Sequence, residues 1–264
     1  QPPTLRRQRQ MCIRDSNWIY NFSLAPILVY SLLFEDSNKI TKWSKNFPIA
    51  KLNNNYLNFI ASHDGIGMRP IEGILSTNTQ RKFLIRLKKN GGEFSYRKVQ
   101  GVKKKVYEAN ITLFNAFKYS DFDKSGIFGF ERYMAAHTIM ISFDGIPAIY
   151  FNSMFGNSND NSKYIISGNK RDLNRYRWNK DKIEDHLKDQ NSKQNKYYKN
   201  MSNILDIRSK QKAFHPNAIR KTLKLGANFF GIKRVSTDNK QSIYCITNMT
   251  CLLYTSDAAD EVLG

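Results

Sequence analysis

The sequence predicts an α/β fold in which short buried strands alternate with helices. Residues 56–61 form an apolar, strand-like run that stops at His63 and Asp64 and opens into a glycine-rich loop. Residues 130–143 repeat apolar side chains at helical spacing, and the apolar run 146–151 follows directly. In a (β/α)8 barrel, the carboxyl ends of the strands form the rim at which catalytic residues lie. The His-Asp pair is therefore expected where a ligand can reach it.

The chain before the His-Asp strand predicts one helix and one connection. Apolar side chains recur at roughly helical spacing over residues 18–33, so we expect a helix that is kinked at Pro26 or begins there. Residues 36–55 are polar and are expected to connect this helix to the strand. The apolar run 19–34 is interrupted by polar residues and is too short to cross a bilayer, so no membrane contact is predicted.

A long insertion is predicted after Pro70. Residues 78–89 have an amphipathic pattern that predicts a helix, and a pair of glycines follows as a stop signal. Residues 94–99 and 102–107 alternate on either side of a Gln-Gly pair, which predicts a hairpin. We place the insertion at about residues 70–125. Long loops on the C-terminal face of a barrel usually shape the substrate site.

A calcium-like string at residues 121–126 and a histidine at position 137 could suggest a functional site. In both cases the sequence favours a structural role. Residues 121–126 imitate the start of a calcium loop, yet Arg132 occupies the twelfth position, where a bidentate Glu is needed. We therefore predict helix capping here and no metal site. His137 lies in the middle of the predicted helix, where a core or interhelix role is expected.

The second half of the chain predicts a loop, a helix and a pair of strands. After the polar loop 156–168, Arg171 and Arg175 are spaced to face one way if their turn is helical. The later elements are read from apolar periodicity. They are a helix at 197–208 and paired strands at 229–235 and 242–248, joined across an Asp-Asn turn.

The two ends of the chain are expected to be foreign to it. A coding sequence can be written for residues 6–16 whose reverse complement, read one base on, encodes residues 251–260. Such an inverted repeat is typical of translated sequencing-adapter DNA, so we exclude residues 1–16 and 251–264 from fold reasoning. The alternative is a real basic tail and a real acidic tail. The native part is then expected to span about residues 17–250.

The composition is strongly basic, with a formal net charge of +20. Such a charge invites a nucleic-acid partner, but the lysines are scattered and only residues 103–105 form a run. We therefore predict no nucleic-acid binding, and a basic binding protein without catalysis remains the alternative. Outside the two end segments, Cys245 is the only cysteine, which fits a reducing cytoplasm.

Three strings of the chain match the signature segments of one enzyme family. Residues 61–67 read Ala-Ser-His-Asp-Gly-Ile-Gly, and Arg69-Pro70 follows closely. Residues 145–150 read Gly-Ile-Pro-Ala-Ile-Tyr, and residues 171–175 read Arg-Asp-Leu-Asn-Arg. Together these strings resemble glycoside hydrolase family 13, the α-amylase family, and within it the branch of sucrose and glucosylglycerate phosphorylases.

The resemblance implies an architecture and a reaction. Residues 17–212 would be the C-terminal part of a (β/α)8 TIM barrel with a long insertion after strand 7. Residues 213–250 would begin a small β domain. The implied reaction transfers glucosyl from an α-glucoside to phosphate by a retaining double displacement. Phosphate would be a co-substrate, and no metal or organic cofactor is implied.

The resemblance also implies roles for residues of the rim. Asp64 matches the third carboxylate of the family and would stabilise the oxocarbenium-like transition state, because a fixed anion near developing positive charge lowers the barrier. His63 would donate to a sugar hydroxyl, and Arg175 would bind substrate oxygens. Arg69 is a candidate for phosphate or for an anionic acceptor. The residues alone leave alternatives open. These are a capped turn for His63 and Asp64, a surface charge for Arg175 and a salt bridge at a loop or helix start for Arg69.

A retaining site needs a nucleophile and an acid/base about 5–5.5 Å apart. In the family these belong to strands 4 and 5, which would lie upstream of residue 17. The parent protein is thus expected to be an enzyme and this part to be inactive alone. A transglucosidase or α-glucosidase of the same family is the nearest alternative. The acceptor (fructose, glycerate, glycerol or a phosphorylated sugar) and the oligomeric state cannot be read from the residues.

Overall fold

The computed structural model of the protein describes residues 17–50, 54–100 and 102–252. The helices in these ranges are α1 (Leu24–Leu33), α2 (Asn38–Asn46), α3 (Thr77–Lys89), α4 (Leu113–Lys118), α5 (Gly129–Ser142), α6 (Asn161–Ser167), α7 (Lys180–Lys188) and α8 (Lys193–Ser209). The strands are β1 (Trp18–Tyr20), β2 (Asn55–Asn58), β3 (Ile66–Gly67), β4 (Glu93–Val99), β5 (Val102–Asn110), β6 (Ile146–Pro147), β7 (Ile219–Thr222), β8 (Phe229–Val235) and β9 (Ser242–Asn248). The expectation of adapter-derived ends falls outside the described residues, apart from Cys251 and Leu252.

A parallel sheet of three strands forms the centre of the α/β part. The strand order is β1-β2-β6, with Leu57 of β2 opposite Tyr20 on one side and Ile146 on the other. The connection from β1 to β2 contains α1 and α2, and the connection from β2 to β6 contains α5. Parallel strands joined through helices bring their carboxyl ends to one edge of the sheet. This arrangement confirms the predicted α/β fold class.

The predicted helix over residues 18–33 is wrong in its first part. Residues 18–20 form β1, and the helix begins at Leu24. Of the two predicted alternatives, a start near Pro26 is confirmed and a longer helix kinked at Pro26 is wrong. Proline is tolerated in the first helical turn because the N–H groups there have no partner within the helix. Every residue of α1 is buried, so its apolar side chains carry no one-sided pattern that would mark where it begins.

Helix α2 was missed because its sequence is mostly polar. It lies within the segment predicted as a connection and buries only Ile40, Trp43 and Ser44.

Strand β6 is shorter than the predicted run 146–151. One further hydrogen bond, from Ala148 N to Asn58 O at 2.7 Å, extends its pairing before a 3-10 turn begins.

The predicted insertion folds as a helix and an antiparallel sheet. Helix α3 and the hairpin β4–β5 occur where the sequence placed them, and the short strand β3 adds to the sheet beside β5. Because β3 begins two residues after Asp64, the sheet fixes the loop that carries the His-Asp pair. Ile66 faces Ala109, and Gly67 faces Glu108.

The last part of the chain is a three-stranded antiparallel sheet in the order β7-β8-β9. The predicted strands β8 and β9 are confirmed, and Asn239 in their turn has a φ of 57°. Strand β7 was missed. Two buried arginines join this sheet to the α/β part: Arg220 donates to Asp144 at 2.6 Å, and Arg234 donates to Ser142 O at 2.8 Å.

Asp123 organises the calcium-like segment but does not cap α5, because the N-cap residue Phe128 has no side-chain cap hydrogen bond. The prediction of helix capping here is therefore wrong. The Asp123 carboxylate accepts from the backbone N–H groups of Gly126, Ile127 and Phe128, and it pairs with Arg132 at 2.7 Å. Both side chains of this pair are almost fully buried. Burial alone would raise the pKa of Asp123, but the hydrogen bonds from Arg132 and from the Phe128 backbone N–H lower it to about 2. The carboxylate is thus occupied by this chain's own donors.

We expect Asp123→Ala to lower the free energy of unfolding by roughly 3–5 kcal/mol, because it leaves the buried Arg132 unpaired. The matched control is Asp206→Ala, which removes an exposed carboxylate that pairs with the exposed Lys210 and is expected to cost below about 1 kcal/mol. Urea denaturation measures both. Because the folded pKa of Asp123 is depressed, its stabilisation is complete above pH 4 and is lost as the pH falls towards 2. Equal costs for the two variants would contradict this role.

Candidate functional site

The His-Asp pair lies beyond the carboxyl end of the central strand. Strand β2 ends at Asn58 rather than at residue 61, so His63 and Asp64 belong to the loop that follows. The buried Asn58 side chain accepts from Asn21 at 2.9 Å and donates to Asp144 O at 2.8 Å. These bonds tie together the chain just beyond β1, the end of β2 and the start of β6. They fix the rim from which the His-Asp loop departs.

Asp64 is the carboxylate around which the site is built. Its side chain is 37% exposed, and its Oδ1 lies 2.9 Å from Arg171 Nη1 and 3.3 Å from Arg175 Nη2. The same turn also holds the main chain of the pair. Arg175 Nε donates to His63 O at 3.0 Å, and Asn174 donates to Asp64 O at 3.2 Å. The carboxylate therefore has a set orientation and remains open to solvent.

Glu108 on β5 is a part of the site that the sequence analysis did not single out. Its side chain is only 5% exposed and accepts two bonds from Arg171, at 3.1 and 2.9 Å. Its Oε1 also accepts from Gly65 N at 2.8 Å. Hydrogen bonding to Glu108 raises the pKa of Arg171, while burial opposes the rise and the charge of Asp64 adds to it. The available signal was an acidic residue within a strand whose following residues are apolar or uncharged.

Gly65 allows the loop to lie against β5. A Cβ atom at this position would lie 2.4 Å from Ala109 O, which is too close for any side chain. Gly67, two residues later, has no comparable restriction, because the nearest atom to its Cβ position is 3.9 Å away. The first glycine of the motif is thus explained by packing.

The structure brings together three of the four predicted site residues. His63 is exposed, and its Nε2 lies 3.6 Å from Asp64 Oδ1. Arg175 contacts Asp64 as described. Arg69 lies exposed on a 3-10 turn at Arg69–Ile71, and among the described residues it makes none of the ion pairs at Asp64. Its proposed role with an anion stays a prediction.

A cavity of about 200 Å³ adjoins Asp64. Its wall includes Phe59, Tyr107 and Tyr150, together with Asn157 and Asn174. The side-chain oxygens of these two asparagines are buried and accept no hydrogen bond from the described residues. The cavity is smaller than the roughly 300–1,000 Å³ of most small-molecule sites, so it would hold water or a small part of a ligand.

His137 lies away from this site. His137 is buried in α5, and its Nδ1 lies 2.9 Å from Tyr133 O. Burial lowers its pKa to about 4, which confirms a core role. Within the described residues, no group of three or more His, Cys, Asp or Glu side chains could hold a metal ion. None of the described helices has the length and apolarity needed to cross a membrane.

The fold is that of a C-terminal part of a (β/α)8 barrel followed by a β-sheet. The structure of sucrose 6F-phosphate phosphorylase from Thermoanaerobacter thermosaccharolyticum is similar with a TM-score of 0.67 and 19% identity. The match covers 92% of this chain and 48% of that one. No protein-family model matches the chain.

The sequence is similar to those of glucosylglycerate phosphorylases and sucrose phosphorylases. It is 30% identical to the glucosylglycerate phosphorylase of Allomeiothermus silvanus over 236 residues, which cover 89% of this chain and 42% of the relative. It is 26% identical to the Escherichia coli glucosylglycerate phosphorylase over 89% of the chain and 41% of the relative. The sucrose phosphorylase of Bifidobacterium adolescentis is 22% identical over 64% of the chain and 33% of the relative. The chain thus spans about two fifths of the length of the first two relatives.

We expect Gly65→Ala to lower the free energy of unfolding by roughly 1–3 kcal/mol, because the loop must move away from β5 to admit a Cβ. Gly67→Ala is the matched control in the same loop and is expected to change it by no more than about 0.5 kcal/mol. Urea denaturation with the two variants side by side provides the comparison. Equal stability of the two variants would mean that the loop does not pack on β5 as described.

Proposed function

We propose that this chain is part of a family 13 α-glucoside phosphorylase of the glucosylglycerate or sucrose type. The observation that carries the proposal is the similarity to glucosylglycerate phosphorylase over 236 residues. The geometry agrees with it, because Asp64 is partly exposed, lies beyond the carboxyl end of a parallel strand and contacts Arg175. A carboxylate on this rim is suited to substrate contact.

The uncovered face of the parallel sheet supports a larger barrel. Parallel sheets normally have both faces covered. Here Trp18 and Tyr20, which project to one face of β1, are more than half exposed. Tyr20 also packs with Phe22 and Phe59, with ring centroids 5.9 Å or less apart. We infer that the remaining strands of the barrel cover these aromatic side chains.

In the proposed reaction, a carboxylate nucleophile displaces the aglycone from the anomeric carbon, and phosphate then displaces the nucleophile. The carbon–oxygen bond to the aglycone breaks, the aglycone takes a proton from the acid/base, and a second inversion gives an α-glucose 1-phosphate. Asp64 holds the hydroxyls of the glucosyl ring and stabilises its developing positive charge. His63 donates to a ring hydroxyl.

The nucleophile and the acid/base are proposed to come from residues outside this chain. Within the described residues, two other carboxylates of the predicted insertion are occupied. Glu108 is buried against Arg171, and Glu72 pairs with Arg97 and Lys105 at 3.0 and 3.2 Å. Neither is free to act as a nucleophile. This is the basis for proposing that the chain alone has no activity.

Arg175 is proposed to bind oxygens of the sugar, and Arg69 is proposed to bind phosphate or an anionic acceptor. Arg175 is about one third exposed and can share its guanidinium between Asp64 and a sugar oxygen. Arg69 is exposed on the turn after the His-Asp loop, where phosphate or a carboxylate-bearing acceptor would approach.

The full-length protein is expected to release glucose 1-phosphate from an α-glucoside only when phosphate is present. Glucosylglycerate and sucrose serve as test substrates, and the products are measured by chromatography. Release of free glucose at the same rate without phosphate would contradict phosphorolysis and favour a hydrolase.

Asp64→Asn in the full-length protein is expected to lower kcat by roughly 10²–10³, because the amide cannot offset positive charge in the transition state. Asp181→Asn, at an exposed position on α7, is the control and is expected to leave kcat unchanged. Steady-state kinetics with both variants measures the difference. Full activity of Asp64→Asn would remove Asp64 from the catalytic site.

A further inference from the structure

We propose that Glu108 is a positioning residue that sets the orientation and the net charge of the Asp64 site. The inference rests on the proposed function and adds a residue to it. The Glu108 side chain is almost fully buried on β5, where it lines the cavity beside Asp64. A carboxylate is stable in such a place only when charged or polar partners satisfy its oxygens. The identity of those partners is what assigns the role.

Glu108 fixes the orientation of the Arg171 side chain. Glu108 accepts a bidentate pair of bonds from Arg171 Nε and Nη2, and this geometry fixes the plane of the guanidinium. The remaining Nη1 of Arg171 is then directed at Asp64 Oδ1, at 2.9 Å. One guanidinium therefore joins a buried carboxylate to an exposed one.

Glu108 also holds the main chain next to Asp64. Glu108 Oε1 also accepts from the N–H of Gly65, the residue directly after Asp64. Glu108 thus fixes Asp64 twice, through its side chain by way of Arg171 and through the adjoining peptide. Both contacts come from the inserted hairpin, so the insertion helps to set the geometry of the site.

Glu108 also sets the net charge around Asp64. Two carboxylates, Asp64 and Glu108, face two guanidiniums, Arg171 and Arg175, so the cluster is formally neutral. Without the charge of Glu108 the cluster would be cationic. A cationic cluster beside the glucosyl ring would disfavour a transition state that develops positive charge. Glu108 therefore keeps the negative charge of Asp64 effective.

The test uses the full-length protein with Glu108→Gln, which keeps the size of the side chain but loses the second acceptor for Arg171. We expect kcat to fall roughly 10- to 100-fold, the range typical of residues that orient a functional side chain, with the KM for the glucoside changed less than about threefold. Glu72→Gln is the matched control, because it removes a Glu–Arg pair of the same insertion away from Asp64. It is expected to leave both constants unchanged.

A double variant separates charge from packing. Arg171→Gln added to Glu108→Gln restores a formally neutral cluster, so we expect it to recover part of the lost kcat. A kcat for Glu108→Gln within twofold of the wild type, or no recovery in the double variant, would overturn the charge argument. If the wild type itself shows no phosphorolysis, the proposed function fails and the crystal structure of Glu108→Gln decides this inference alone. In that variant structure, we expect Arg171 Nη1 to lie more than about 4 Å from Asp64 Oδ1, beyond the limit for an ion pair. An unchanged contact between these two atoms would overturn the inference.

Discussion

The guanidinium of Arg171 holds the candidate site together, because it joins the buried carboxylate of Glu108 to the exposed carboxylate of Asp64. The three residues lie on segments that are far apart in the chain: the loop after β2, the inserted hairpin and the turn before Arg175. Losing any one of the three changes the net charge of the cluster. The site therefore requires that the barrel-type α/β part and the insertion fold together, and Gly65 is the residue that lets them come close enough.

A second constraint is the parallel sheet beneath the site. The buried Asn58 side chain at the end of β2 bonds to Asn21 and Asp144, which lie next to the other two strands. Tyr56 of β2 is buried on one face of the sheet. The opposite face carries exposed aromatic side chains. Parallel strands are stable when both faces are covered, which is why the proposed enzyme is larger than this chain. The relatives are more than twice as long, in agreement with this view.

The sequence predicted the parts of the fold that carry strong local signals. Helices α3 and α5, the hairpin β4–β5 and the pair β8–β9 were found from periodicity, because each has a clear pattern and turn residues at its ends. Strand β1 was read as helix, since it is only three residues long and runs into the fully buried α1. Helix α2 was missed, because a mostly polar helix with three buried residues resembles a loop.

The candidate site was predicted in part. The His-Asp-Gly string and the Arg-Asp-Leu-Asn-Arg string pointed to Asp64 and Arg175, which the fold places in contact. Glu108 was not singled out, because its role depends on a contact between positions 63 residues apart. An acidic residue within a strand is a local signal, but it does not identify the partner of that residue. The loop also begins earlier than predicted, since the buried Asn58 and not the apolar run 59–61 marks the end of the strand.

The most direct test of the account is a crystal structure of the full-length protein with a glucosyl ligand bound. The account predicts that both Asp64 carboxylate oxygens lie within hydrogen-bonding distance of ring hydroxyls or Arg175, with at least one bonded to the sugar. A glucosyl ring bound elsewhere on the protein, with Asp64 contacting only its arginines, would contradict it.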